Sequence, residues 1–255
     1  MKKILIVIGV VIIAAGLVWF FGPNLIKKET SKTEAAEIDI VLEVAVGSVV
    51  LKNNQGQETT ITKGIAEVVE GDIVKAQADS LAVLYFSDDT LMRLDQNTEI
   101  KVETFSREGK TLKTAVSLAL GRVWSRLERV IEADSLYEVR TSNTVAAVRG
   151  TSFGVSRDQE KTEVIVSEKT VEAQAIDPLT KQPLAGGFIK IGEKERTRVF
   201  DAALPSLEKP LQAEKLGPQD LEEKWLKFNL EEDGEQEKEL KIKDKRSALE
   251  EKKRA

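Results

Sequence analysis

The sequence predicts a mainly β protein, a sandwich or solenoid-like stack of short strands with a transmembrane helix at its amino end and a charged helix at its carboxyl end. Three observations predict it. Eighteen apolar or glycine residues run unbroken from Ile4 to Phe21. No proline falls between Pro23 and Pro178, and apolar and polar residues alternate there in short runs bounded by turns. Beyond Pro218 the alternation gives way to one amphipathic stripe and then to dense charge.

The apolar run follows Lys2 and Lys3 and closes on Trp19-Phe20-Phe21-Gly22-Pro23. At 1.5 Å per residue such a helix spans about 27 Å, enough for a slightly thinned hydrocarbon core, and the aromatic exit suits an interfacial belt. A cleaved signal peptide is one alternative, with Ala14-x-Gly16 as its only small-x-small site, and a soluble core segment is another. The expected order is a cytoplasmic stub over 1–3, a signal anchor over 4–22 and a polar tether over 23–39. With the lysines inside, the bulk of the chain is expected to be extracytoplasmic, in a single-pass protein of the cell membrane.

A β-domain is expected over 40–200. Its runs are Ile40 to Leu51, Thr59 to Val69, Ile73 to Ala76, Leu81 to Phe86, Leu91 to Leu94, Glu99 to Phe105, Thr114 to Leu127, Leu136 to Thr141, Val145 to Val155 and Glu163 to Ser167. They are short and rich in β-branched residues, which excludes the helical reading. Gly187 to Gly192 and Arg196 to Phe200 read as a last hairpin. Ala78-Asp79-Ser80-Leu81 recurs as Ala133-Asp134-Ser135-Leu136, a spacing compatible with stacked β units or with chance.

Within Tyr137 to Val155, period two puts Val145, Ala147, Arg149, Thr151, Phe153 and Val155 on one face. Ala146, Val148, Gly150, Ser152 and Gly154 share the other, nearly bare one, which another layer can approach closely. Arg149 on the apolar face must reach solvent or find partners; a structural arginine is expected. Residues 201–217 read as a linker. In the tail, 218–255, Leu221, Trp225 and Phe228 form a helical stripe that packs on the β-domain, docks on a partner or lies on a membrane surface.

A net charge of −5 disfavours a nucleic-acid binder. With no cysteine and no histidine, disulfides, thiol nucleophiles, Ser-His-Asp triads and the usual zinc sites drop out together. Asp88 and Asp89 read as turn chemistry rather than a Ca²⁺ site, and no phosphate-binding glycine motif occurs. No cofactor, metal or catalytic residue is expected, and the chain reads as a non-enzyme. A carboxylate-dependent hydrolase using Asp88 or Asp95 is the remote alternative.

Val139-x-Thr141 followed by Ala147-Val148-Arg149-Gly150-Thr151-x-Phe153 resembles the signature of the FecR domain. Gly47-Ser48-Val49, the Gly71-Asp72 turn, the hairpin from Leu84 to Leu94 with Asp88 at its tip, and Leu120-Gly121-Arg122-Val123-Trp124 resemble other parts of it. Asp89 stands where that pattern has glycine, and Glu168-Lys169-Thr170-Val171 replaces its Glu-Gly-x-Val. The resemblance covers roughly residues 43 to 176 and implies an extracytoplasmic β-rich module. It marks Gly71, Asp72, Asp88, Arg149, Gly150, Thr151 and Phe153 as structural signature residues. Classical members carry a cytoplasmic anti-sigma segment ahead of the membrane helix, and here only Met1, Lys2 and Lys3 precede it. The expectation is therefore a membrane-anchored scaffold or sensor that binds an envelope protein or glycan, with Leu221, Trp225 and Phe228 as candidate partner contacts. The alternative is a signal-transduction regulator acting through another membrane protein.

Overall fold

The computed structural model describes residues 39–108, 111–127, 135–207, 210–235 and 247–251. The expected anchor and most of the tether lie outside them, as do 236–246 and 252–255 of the expected tail. No described helix is long and apolar enough to cross a membrane.

The protein is mainly β. Its strands are β1 (Ile40–Lys52), β2 (Glu58–Val68), β3 (Ile73–Ala76), β4 (Leu81–Phe86), β5 (Leu91–Leu94), β6 (Glu99–Glu108), β7 (Thr111–Arg126) and β8 (Leu136–Arg140). They continue with β9 (Thr144–Val148), β10 (Ser152–Arg157), β11 (Lys161–Val166), β12 (Val171–Ile176), β13 (Pro183–Ile191), β14 (Glu195–Phe200) and β15 (Glu214–Lys215). A 3-10 turn covers Asp201–Ser206, α1 covers Pro218–Leu221, α2 covers Lys224–Glu235 and a last helical turn, α3, spans 247–251.

Two long strands organise the sheet. β1 pairs with β2 along one edge and with β4 and then β3 along the other. β7 takes β5 and then β6 on one edge, and β10 and then β8 on the other. Because β4 pairs with β5 and β3 with β6, the pairings close a ring, β7–β5–β4–β1–β3–β6–β7. Two arms leave it: β8–β9–β12–β13 and β10–β11–β14–β15.

The chain jogs between β3 and β4 and again between β5 and β6. At the second jog, a Cβ on Gly121 would lie 2.5 Å from Thr98 Cα, and Gly121 has φ +97, so only glycine lets β7 pass this close. The sheet folds over along this row of jogs, and the inner residues of both halves share one core that includes Leu42, Leu84, Phe86, Met92, Val116, Leu118, Tyr137 and Phe153. The recurring tetrapeptide has a common structural use: the Ser80 hydroxyl accepts from the Ser48 N–H at 2.9 Å, and the Ser135 hydroxyl from the Leu112 N–H at 2.9 Å.

The two halves differ in their outer faces, and the sequence explains why. β4 (LAVLYF), β5 (LMRL), the end of β7 and β11 are apolar on both faces, so they need cover on the outside as well as a core inside. The carboxyl-terminal helices supply it. Trp225 and Leu226 of α2 pack on Trp124 and Ile165, and Leu249 of α3 packs on Val41, Val83, Tyr85 and Leu91. The outward positions of β6, β8 and β12 are instead mostly polar, among them Glu99, Lys101 and Glu103, Glu138 and Arg140, and Glu172 and Gln174, and that face stays open.

Three expectations need correction. Val145 to Val155 is two strands with a corner at Arg149-Gly150, where Gly150 has φ +108. The corner shifts the phase, so Ala146 and Val148 of the supposedly bare face point into the core before it, and Phe153 and Val155 after it. Alternation does not single out β12, whose outward Glu and Gln and small inward alanines give weak contrast. In the tail, the helix breaks at Glu222-Glu223, so Leu221 does not continue the stripe of Trp225 and Phe228.

Candidate partner-binding groove

The open half bears a groove of about 1050 Å³ across β6, β7, β8, β9, β12 and the start of β13. Pairing register sets its contents. One row crosses six strands as Lys101, Ser117, Arg140, Val145, Gln174 and Phe188. The next runs Ala115, Glu138, Ala147, Glu172 and Lys190, with Glu103 beside it at the bulge between Val102 and Thr104. Small side chains at Ser117, Ala119 and Ala147 make the floor, and longer charged ones make the walls.

The wall charges pair locally. Lys101 Nζ lies 2.7 Å from Glu103 Oε2, and Arg140 Nε donates to Glu138 Oε2 at 2.8 Å. Partial burial raises the Glu103 pKa, but hydrogen bonds from Lys101 and Ser117 and the charges of Lys101 and Arg140 outweigh it and hold the carboxyl below its ordinary value. The Glu103 carboxyl is thus ionised at neutral pH. Phe188, 58% exposed, stands at one end.

The opposite outer face is closed by α2 through a polar network around an aromatic pair. The Trp225 and Trp124 rings meet edge-on with centroids 5.8 Å apart, and the Arg122 guanidinium stacks on Trp225 at 5.0 Å. Asp233 accepts from Arg93 Nη1 at 2.7 Å and Trp124 Nε1 at 2.8 Å, while its carbonyl accepts from Arg126 at 2.7 Å. Arg122 also pairs with Asp95 and Glu223. Gly154 makes room for this packing, since a Cβ there would lie 2.5 Å from the Trp225 ring.

The signature residues fall in turns and the core, and none of them lines the groove. Gly71 donates its N–H to Val102 O at 2.8 Å, and Asp72 Oδ2 accepts from Val69 N at 3.0 Å. Asp88 Oδ1 accepts from Thr90 N at 2.9 Å, which is turn geometry. The Thr151 hydroxyl donates to Glu168 O across the β10–β11 hairpin, and Phe153 packs edge-on to Tyr137 at 6.2 Å. Arg149 is exposed at the corner, whereas Arg93, which the sequence reading did not single out, is buried under α2. Thr141 joins a buried network centred on Asn143, whose Oδ1 accepts from the hydroxyls of Thr141, Thr144 and Thr162 and whose Nδ2 donates to Val199 O and Asp201 Oδ1.

Of the candidate partner contacts, Trp225 is buried within its own chain, Leu221 is half-buried beside it and Phe228 is 36% exposed. Among the described residues no group of three or more acidic side chains is placed to hold a metal ion. The groove residues escaped residue-by-residue reading because none is unusual in type. Their signal is the charge at the outward positions of β6 and β8, to which β12 adds only Glu172.

These features describe an extended β-domain with one outer face covered by its own helices and the other open as a charged groove. Residues 72–172 match the family model described as FecR protein, and the chain carries a FecR domain. That family is one of regulators rather than enzymes. Two crystal structures of a "putative anti-sigma factor" from Parabacteroides distasonis are similar at 16% identity, with TM-scores of 0.45 and 0.44. In both cases the match covers 58% of this chain and 61% of the other, so the chain spans about three fifths of the length of those proteins. No protein of curated function matches the chain.

Proposed function

We propose that the chain is a non-catalytic, FecR-type regulatory module of the cell envelope, held by residues 4–21 as a single-pass anchor, whose outward-facing domain binds a partner in the open groove. The observation that carries this reading is the asymmetry of the two outer faces. An apolar outer surface on one half is covered by α2 and α3, while the other half keeps a groove of about 1050 Å³. The FecR match supports a role in signal transduction. Burial of Trp225 in the chain's own fold favours the groove over the α2 stripe as the partner contact.

Single cysteines test the reading, because the chain has none of its own. Leu179→Cys probes a side chain 93% exposed in the β12–β13 turn, and Phe188→Cys probes the end of the groove. In intact cells a membrane-impermeant maleimide should label position 179 quickly and position 188 slowly. In the purified chain it should label both. No labelling at 179 in intact cells removes the outward location, and equal rates in cells and in the purified chain remove the partner.

A further inference from the structure

We propose that the groove's partner is an amphipathic α-helix of another protein, basic along one flank and acidic along the other, lying across the strands. This rests on the groove being the binding face, and it names the chemistry that would fill it.

The argument is one of spacing and sign. Glu103, Glu138 and Glu172 lie on β6, β8 and β12, which are two strands apart at each step in the order β6–β7–β8–β9–β12–β13. At roughly 4.8 Å per strand, the carboxylates repeat about every 9.6 Å along the groove. Residues i and i+7 of an α-helix share a face about 10.5 Å apart, so one helix flank can present a lysine or arginine to each carboxylate in turn. An extended peptide repeats a face in steps of roughly 6.7 Å, so it can meet the outer two carboxylates but passes over the middle one, Glu138.

Lys101 and Arg140 stand on β6 and β8 in the adjacent row, two residues along the strands, with neutral Gln174 third on β12, so the other flank of the helix meets two cations. Between the rows, Ser117 and Ala147 keep the floor low enough for a helix to settle. Lys101–Glu103 and Arg140–Glu138 are partly exposed pairs, weakly held, and can exchange their internal partners for those of a ligand. Glu172 is exposed on the same row. A sugar chain would more often be met by several aromatic platforms, and among the described residues Phe188 is the only aromatic in the lining.

The test uses the full chain in detergent and a dye-labelled 18-residue helical peptide. The peptide carries lysines at i, i+7 and i+14 on one flank, glutamates on the other and an alanine-leucine stripe between. A control peptide of equal composition alternates charge along each flank. Fluorescence anisotropy should show the patterned peptide binding at least about tenfold tighter than the control, weakening with added salt. Combining Glu138→Lys and Glu172→Lys should weaken it about tenfold or more. Equal binding of the two peptides, or full binding by the double variant with an unchanged circular dichroism spectrum, overturns the proposal. So does a soluble glycan oligomer that binds where neither peptide does. Slow labelling of position 188 in cells combined with peptide failure would leave the groove as the binding face and remove only the helix; fast labelling there would remove both.

Discussion

Replacing Asn143 with alanine should destabilise the β-domain by about 2–6 kcal/mol. The residue is fully buried, and its amide holds three hydroxyls and links β9 to the end of β14 through Val199 O at 3.1 Å and Asp201 Oδ1 at 2.7 Å. After truncation Thr141 and Thr162, already 2.9 Å apart, can bond each other, and Asp201 keeps its two contacts to Arg157. The Thr144 hydroxyl and the Val199 carbonyl lose the partner Asn143 gave them. A buried polar group left unsatisfied costs about 1–3 kcal/mol, so two give the stated range. Thr162→Val removes a single hydroxyl of near-equal volume and should cost only about 1 kcal/mol. Urea titration of the detergent-solubilised chain, followed by tryptophan fluorescence, reads both as shifts of midpoint at constant slope. A loss below about 0.5 kcal/mol for Asn143→Ala, or an equal loss for both variants, would refute the reasoning.

Other consequences concern the helical cover and acid sensitivity. Gly154→Val puts side-chain atoms where the Trp225 ring lies, so α2 should lift off and become protease-sensitive while the sheet's circular dichroism persists; an unchanged digestion pattern contradicts this. Trp225→Ala should weaken docking of α2 by about 3–5 kcal/mol and expose Trp124, seen as a red shift in its emission. Asp233→Ala takes a carboxylate 2.7 Å away from buried Arg93 and should cost about 3 kcal/mol, much of it recovered by adding Arg93→Met. Hydrogen bonds and nearby cations hold the carboxyls of Glu103, Asp158, Glu195 and Asp220 below their ordinary values. A lowered folded pKa stabilises above the unfolded value, and that contribution is lost as pH falls through the folded one. Stability should therefore decline on acidification from about pH 5 downward, and Glu103→Gln should flatten that decline.

Much of the fold was legible because its strands announce themselves. The runs at Leu81 to Phe86 and Leu91 to Leu94 match β4 and β5 to the residue. Their apolar content on both faces also signalled a second covering layer, a cue that points to α2 and α3. The corner at Gly150 was harder to read, because unbroken period two hides a phase shift that one left-handed residue produces. β12 was missed because Ala173 and Ala175 give little contrast with their neighbours. The network around Asn143 could not be read locally, since Val199 and Asp201 lie more than fifty residues away. The groove depends on the register of six strands, which no single stretch of sequence encodes. Arg149 stood out in the sequence yet reaches solvent, while Arg93, unremarkable in its strand, carries the buried contacts of the covered face.

The most direct test of a domain that covers one face and binds through the other is a photo-crosslinking residue placed at position 147, on the groove floor, and separately at position 227, on the exposed side of α2. In intact cells, irradiation should give a discrete adduct with an envelope protein from position 147 and none from position 227. An adduct from 227 alone, or none from 147, would contradict the account.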